Sequence, residues 1–141
     1  MKMPKIQTYY HYTIMDRLEK ILKSGYLKLT PNKIDLYKNE KQFVWLTKNS
    51  EWDKTVFINN PIEVLNEAGR VRITIHGDYP SHTKYKTRLV SLERLEASAR
   101  RVGVNPRDWA VSTKKIPVKS FNAVEVWKDG KWVDYYFESK D

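Results

Sequence analysis

The sequence predicts an α+β fold in a single domain spanning 1–141, built on a mainly antiparallel or mixed sheet. Three observations predict it. Two separated runs, "TYYHYT" (Thr8 to Thr13) and "RVRITIH" (Arg70 to His76), have the composition or alternation of strands. Helix-period segments fall between groups of strands instead of alternating with them one for one, which argues against a doubly wound parallel sheet. Asp129-Gly130 joins two late β-prone runs and is a strong hairpin signal.

Taken in order, Thr8 to Thr13 is a Tyr- and Thr-rich strand. Thr13 is placed to cap a helix with Asp16 in its first turn. Ile14 to Ser24 repeats Ile14, Leu18, Ile21 and Leu22 at helical spacing, and Gly25 supplies the left-handed residue that ends a helix. Tyr26 to Leu29 restarts as a short strand, and a polar connection follows over 31–41. "FVWLT", Phe43 to Thr47, is a nearly continuous apolar run, as expected of a strand covered on both faces.

"NSEWDKT", Asn49 to Thr55, reads as a short helix capped by Asn49 or Ser50, with Glu51 and Asp53 in its first turn. "PIEVLNEAG" is a helical turn or a hairpin closed by Gly69. Arg70 to His76 presents Val71, Ile73 and Ile75 on one face and a wet, partly cationic face on the other. A loop with Gly77 and Pro80 follows. Val90 to Val102 is an amphipathic helix through Leu92, Leu95 and Ala99, stopped by Gly103. "DWAVST", "KSFNAVEVW" and "KWVDYYF" are three late strands.

Composition narrows the function. With 40% hydrophobic residues and five tryptophans the chain can bury a core. It has no cysteine, which excludes disulfides, thiolate metal sites and a Cys nucleophile and fits a cytoplasmic protein. No apolar run reaches the roughly 18 residues of a membrane helix, and the basic start lacks the apolar stretch of a secretory signal. A formal charge of +9 attracts polyanions: nucleic acid, a nucleotide or an acidic protein. Neither glycine-rich phosphate loop is present, nor HExxH or GxSxG, and His11, His76 and His82 lack the spacing of a local metal motif.

The remaining chemistry sits on strands. Alternation puts His11 on one face with Tyr9 and Thr13, Trp45 with Phe43 and Thr47, and Glu125 with Ala123 and Trp127. A neutral imidazole donates one hydrogen bond and accepts another. Each of these residues also has an ordinary reading: His11 as a hydrogen-bonded packing residue, Trp45 as core, Glu125 as a solvated carboxylate. Arg70 and Arg72 suit a pyrophosphate or a nucleic-acid backbone, or else a plain solvated face.

The order "YYHYT", helix, "ILKSGYLKL" and "FVWLT" resembles the front half of the ADP-ribosyltransferase-like fold, on the side of the superfamily that holds DNA-modifying bacterial toxins and RNA 2′-phosphotransferases. The resemblance covers Tyr9 to about Thr47 and continues weakly over "DWAVSTKKIPVKSFNAVEVW". It implies two packed, mainly antiparallel sheets with flanking helices and NAD, used as a substrate, in the cleft between them. By that resemblance His11 and Glu125 are the catalytic pair: His11 meets a ribose or the nicotinamide amide, and Glu125 the nicotinamide ribose. Tyr12, Thr13 and Thr47 flank the dinucleotide, and Arg72 is a candidate for its pyrophosphate. The stacking aromatic is Trp45, Tyr26 or Tyr37, although the superfamily prefers a Tyr at a defined strand; Glu138 is a second candidate for the acid.

A carboxylate near the ribose stabilises the positive charge that develops as the bond to nicotinamide breaks, and an aromatic face holds the flat ring. The implied activity is ADP-ribosyl transfer to a nucleic acid or protein acceptor. RNA 2′-phosphate transfer to NAD would call on Arg70, Arg72, Arg88 and Arg107. A different class competes: an inactive basic module that stacks nucleic acid on Trp52, Trp109 and Trp132, or binds a partner protein.

Overall fold

The structure, a computed structural model, describes residues 6–29, 43–88 and 92–137. Tyr37 and Glu138 lie outside the described residues, as does the 31–41 connection. The fold is α+β. In chain order the elements are β1 (Gln7–Ile14), α1 (Met15–Ser24), β2 (Tyr26–Leu27), β3 (Val44–Thr47), α2 (Ile62–Ala68), β4 (Arg70–Gly77), α3 (Leu92–Arg101), β5 (Trp109–Ser112), β6 (Ile116–Pro117), β7 (Ala123–Lys128) and β8 (Lys131–Asp134). Six strands form one sheet in the order β5-β3-β1-β4-β7-β8, and β2 pairs with β6 in a small second sheet. Every pairing is antiparallel.

Alternation sorts the residues between faces. Tyr9, His11 and Thr13 lie opposite Ile75, Ile73 and Val71 on β4, and Ile73 and Val71 lie opposite Val124 and Val126 on β7. This face is the main core; Val44 and Leu46 of β3, Leu18 of α1, and Leu27 and Ile116 of the small sheet complete it. Both sheets therefore share one apolar layer. A smaller core of Ala99, Val104 and Trp109, with Trp45 against it, lies at the β3–β5 end under α3. The outer edge of β5 is covered by the chain at 80–81, through Val111 N–H to the Pro80 carbonyl and a bridge from Ser81 to Ala110.

Several local expectations need correction. Thr13 does not cap α1: it belongs to β1, Ile14 is the N-cap and no side chain closes it. Gly25 does end α1, at φ +84°. Asn49 to Thr55 is not a helix. Asn49 Oδ1 accepts from Glu51 N–H at 3.0 Å, and Asp53 Oδ1 from Thr55 N–H at 2.8 Å, so two side-chain-to-backbone turns displace helical bonding. The 61–69 segment resolves as a helix closed by Gly69 at φ +86°; a Cβ there would meet Met15 Cγ at 2.7 Å. Asp129 and Gly130 form the expected hairpin, both with positive φ.

The β4 face expected to be wet is covered at its Arg70–Arg72 end, while His76 at the other end is exposed. Arg70 is buried, its guanidinium lying 4.5 Å from the Trp127 ring centroid and 5.4 Å from that of Trp52. Burial pushes its pKa below the ordinary arginine value. Arg72 lies over Trp132 and Tyr10, at 4.8 and 5.3 Å.

Candidate functional site

The site begins where the sheet parts. β1 and β3 are in register at Tyr10 and Thr47. Beyond that pair the ladder is replaced by a side chain: His11 Nδ1 lies 2.8 Å from the Trp45 carbonyl. A carbonyl only accepts, so Nδ1 carries the hydrogen. In the neutral ring Nε2 is then an acceptor. Burial lowers the His11 pKa; the Trp45 carbonyl acts the other way, and the charge of Arg17 lowers it further. The ring is therefore neutral near pH 7.

Two cavities meet at this parting. One, about 300 Å³, has largely apolar walls that include Trp45, Leu46, Val56, Leu95 and Trp109. The other, about 700 Å³, lies between α1, β1 and β2. His11, Tyr12, Thr55 and Val56 line both, so the two cavities adjoin there as the two halves of a groove. Of the residues expected to hold the dinucleotide, Trp45 and Thr47 line the smaller cavity, Thr13 and Tyr26 the larger, and His11 and Tyr12 both. The Tyr12 hydroxyl donates to the Asn49 carbonyl at 2.6 Å, and burial raises its pKa.

Glu125 and Arg72 are not brought to the groove. Tyr12 lies opposite Arg72, and Arg72 opposite Glu125, whereas His11 lies opposite Ile73 and Ile73 opposite Val124. Cross-strand partners share a face, so His11 and Glu125 point to opposite sides of one sheet. Glu125 Oε1 accepts from Arg72 Nε at 3.1 Å and Nη2 at 2.8 Å, and Arg72 Nη1 donates to the Ser50 carbonyl at 2.7 Å. The pair is only 15% and 18% exposed and is stacked among aromatic rings. The pair ties the 48–57 segment, one wall of the groove, to β4 and β7.

Among the described residues the carboxylate that lines the groove is Asp53, which its local sequence marks only as a helix-start residue. It is 4% exposed. Oδ1 accepts from the Thr55 amide and hydroxyl, and Oδ2 accepts from Trp109 Nε1 at 2.9 Å. A carboxylate has about four lone-pair positions, so three bonds leave one, on Oδ2. Trp109, expected to be exposed for base stacking, is 5% exposed and packs edge-on to Trp45 at 5.9 Å. Trp52 and Trp132 are half-buried against Tyr12. The signal for Asp53 was present in "WDKT": Asp two residues before Thr is the pattern of a side-chain turn. Its contact with Trp109, 56 positions away, had no local signal.

No group of three or more His, Cys, Asp or Glu capable of holding a metal occurs among the described residues. No described helix is long and apolar enough to cross a membrane. Comparison of the chain with protein-family models, with curated proteins and with solved structures finds no match.

Proposed function

We propose that the protein binds NAD in the groove where β1 and β3 part and acts as an ADP-ribosyltransferase-like enzyme on a nucleic acid or protein acceptor. One observation carries the reading. His11, the residue singled out by the resemblance, stands where two cavities adjoin, with one nitrogen fixed on the Trp45 carbonyl and the other left as an acceptor. Such an imidazole accepts from a ribose hydroxyl or an amide N–H. The smaller cavity, walled by Trp45 and Trp109, suits a flat ring, and the larger has room for the rest of a dinucleotide.

In this reading the acid differs from the one first assigned. Asp53 replaces Glu125 as the carboxylate facing the sugar, because among the described residues it is the carboxylate that lines the groove. As the C1′–N bond to nicotinamide breaks, its electron pair leaves with nicotinamide and positive charge develops on the ribose. The free Oδ2 lone pair stabilises that charge in a site of low dielectric. The acceptor nucleophile then bonds to C1′ and releases its proton to solvent.

The test is thermal melting with NAD, NADP and ADP-ribose, followed by nicotinamide release. A ligand at about 100 times its Kd adds about 2.7 kcal/mol to stability, enough to raise the Tm by several degrees. NAD is expected to do so for wild type and not for His11→Ala. Asp53→Asn is expected to release nicotinamide far more slowly while still folding. A wild-type Tm that none of the three ligands moves overturns the proposal.

A further inference from the structure

The larger cavity carries a line of cations longer than one pyrophosphate needs. α1 presents Arg17, Lys20 and Ser24 along one stripe toward it, and Lys28 reaches it from just past β2. Among the described residues that line it there is no carboxylate. One cation at its wall is held by a ring: Arg17 lies 5.0 Å from the centroid of Phe57, which also lines the cavity. Lys20 pairs only loosely with Asp16, at 3.7 Å with both side chains about three-quarters exposed. The stripe from residue 17 to 24 runs about 10 Å along the helix. It is open to solvent, for Arg17, Lys20 and Lys28 are all exposed. Cations spread along an open wall suit a chain of phosphates better than one enclosed group.

We infer that the solvent-open wall of this cavity, along Arg17, Lys20 and Lys28, binds the phosphodiester backbone of a single-stranded nucleic acid beside the dinucleotide and leads it toward the junction at His11. The inference rests on the proposed function for the strand's role as acceptor, but the binding itself is separable from it. Phosphates of successive nucleotides lie against Arg17, Lys20 and Lys28, and electrostatic attraction supplies most of the affinity.

The experiment measures fluorescence anisotropy of a labelled twelve-nucleotide oligothymidylate at several salt concentrations, without NAD. Wild type is expected to bind, with log affinity falling against log salt at a slope of about −2, since each neutralised phosphate of a single strand contributes about −0.7. The Arg17→Gln, Lys28→Gln double variant changes exposed side chains, so it is expected to melt like wild type. Its affinity should drop about tenfold or more at low salt and its slope should flatten by about 1.4. His11→Ala should bind the oligonucleotide as wild type does. Wild-type protein that fails to bind, or a double variant that binds equally well, overturns the inference. So does displacement of the oligonucleotide by millimolar pyrophosphate together with loss of the NAD-induced Tm shift in the double variant, which would assign the cations to the dinucleotide. If NAD moves no Tm yet the oligonucleotide results hold, the strand site stands and the enzymatic reading falls.

Discussion

At the level of single residues, His11 and Asp53 show how one hydrogen bond decides what a side chain has left to offer. The Trp45 carbonyl fixes the His11 tautomer, and burial keeps the ring neutral. Because its pKa in the fold is lowered, the unfolded chain binds a proton first as pH falls below about 6.5, and stability then declines until the folded-state value is passed. The drop in Tm between pH 7.5 and 5 is therefore expected to be smaller in His11→Gln than in wild type. Thermal melts of both across that range check it; equal drops would contradict it. For Asp53, Trp109→Phe removes the donor to Oδ2 and should cost about 1–3 kcal/mol in urea unfolding. The cost should shrink in an Asp53→Asn background, since the two residues share one bond. The position of His11 on a strand face was legible in the sequence because alternation is local. Its freedom at Nε2 was not, because the bond that sets it comes from a residue 34 positions away.

Among the elements, the 48–57 segment and the strand pair β4–β7 depend on each other. Strand, helix and hairpin were readable from period and turn chemistry, down to Gly25 and the Asp129-Gly130 turn. The segment after β3 was misread because Asn49 and Asp53 are good helix starters and equally good turn formers. Tertiary anchors decided between these: Tyr12 bonds the Asn49 carbonyl and Arg72 the Ser50 carbonyl. The face of Glu125 was legible from alternation, but which face of the sheet held the groove was not. Removing the ion pair should loosen the groove wall without touching a ligand. Glu125→Gln is expected to cost about 1–3 kcal/mol and to reduce the Tm shift given by a fixed NAD concentration. Arg72→Gln should do the same, and the double variant should cost little more than either alone. A Glu125→Gln protein with wild-type NAD response but no turnover would instead mark Glu125 as touching the reacting atoms.

For the molecule as a whole, both sheets and α1 share one apolar layer, so a cavity cut into it should be felt globally. Ile73→Ala, at a fully buried position on the central strand β4, is expected to lose about 2–5 kcal/mol in a single cooperative unfolding transition. Denaturation monitored by tryptophan fluorescence and by circular dichroism should give coincident curves. The parting of β1 from β3 gives the same body a line of weakness. Among the described residues one register pair, Tyr10 with Thr47, stitches the β3–β5 flank to the other four strands. Amide hydrogens along that seam should trade with deuterium through small, local openings long before the rest of the sheet does. A guest lodged in the seam acts as a bolt across it, so saturating NAD should slow that exchange there first and leave the β4–β7 ladder unchanged.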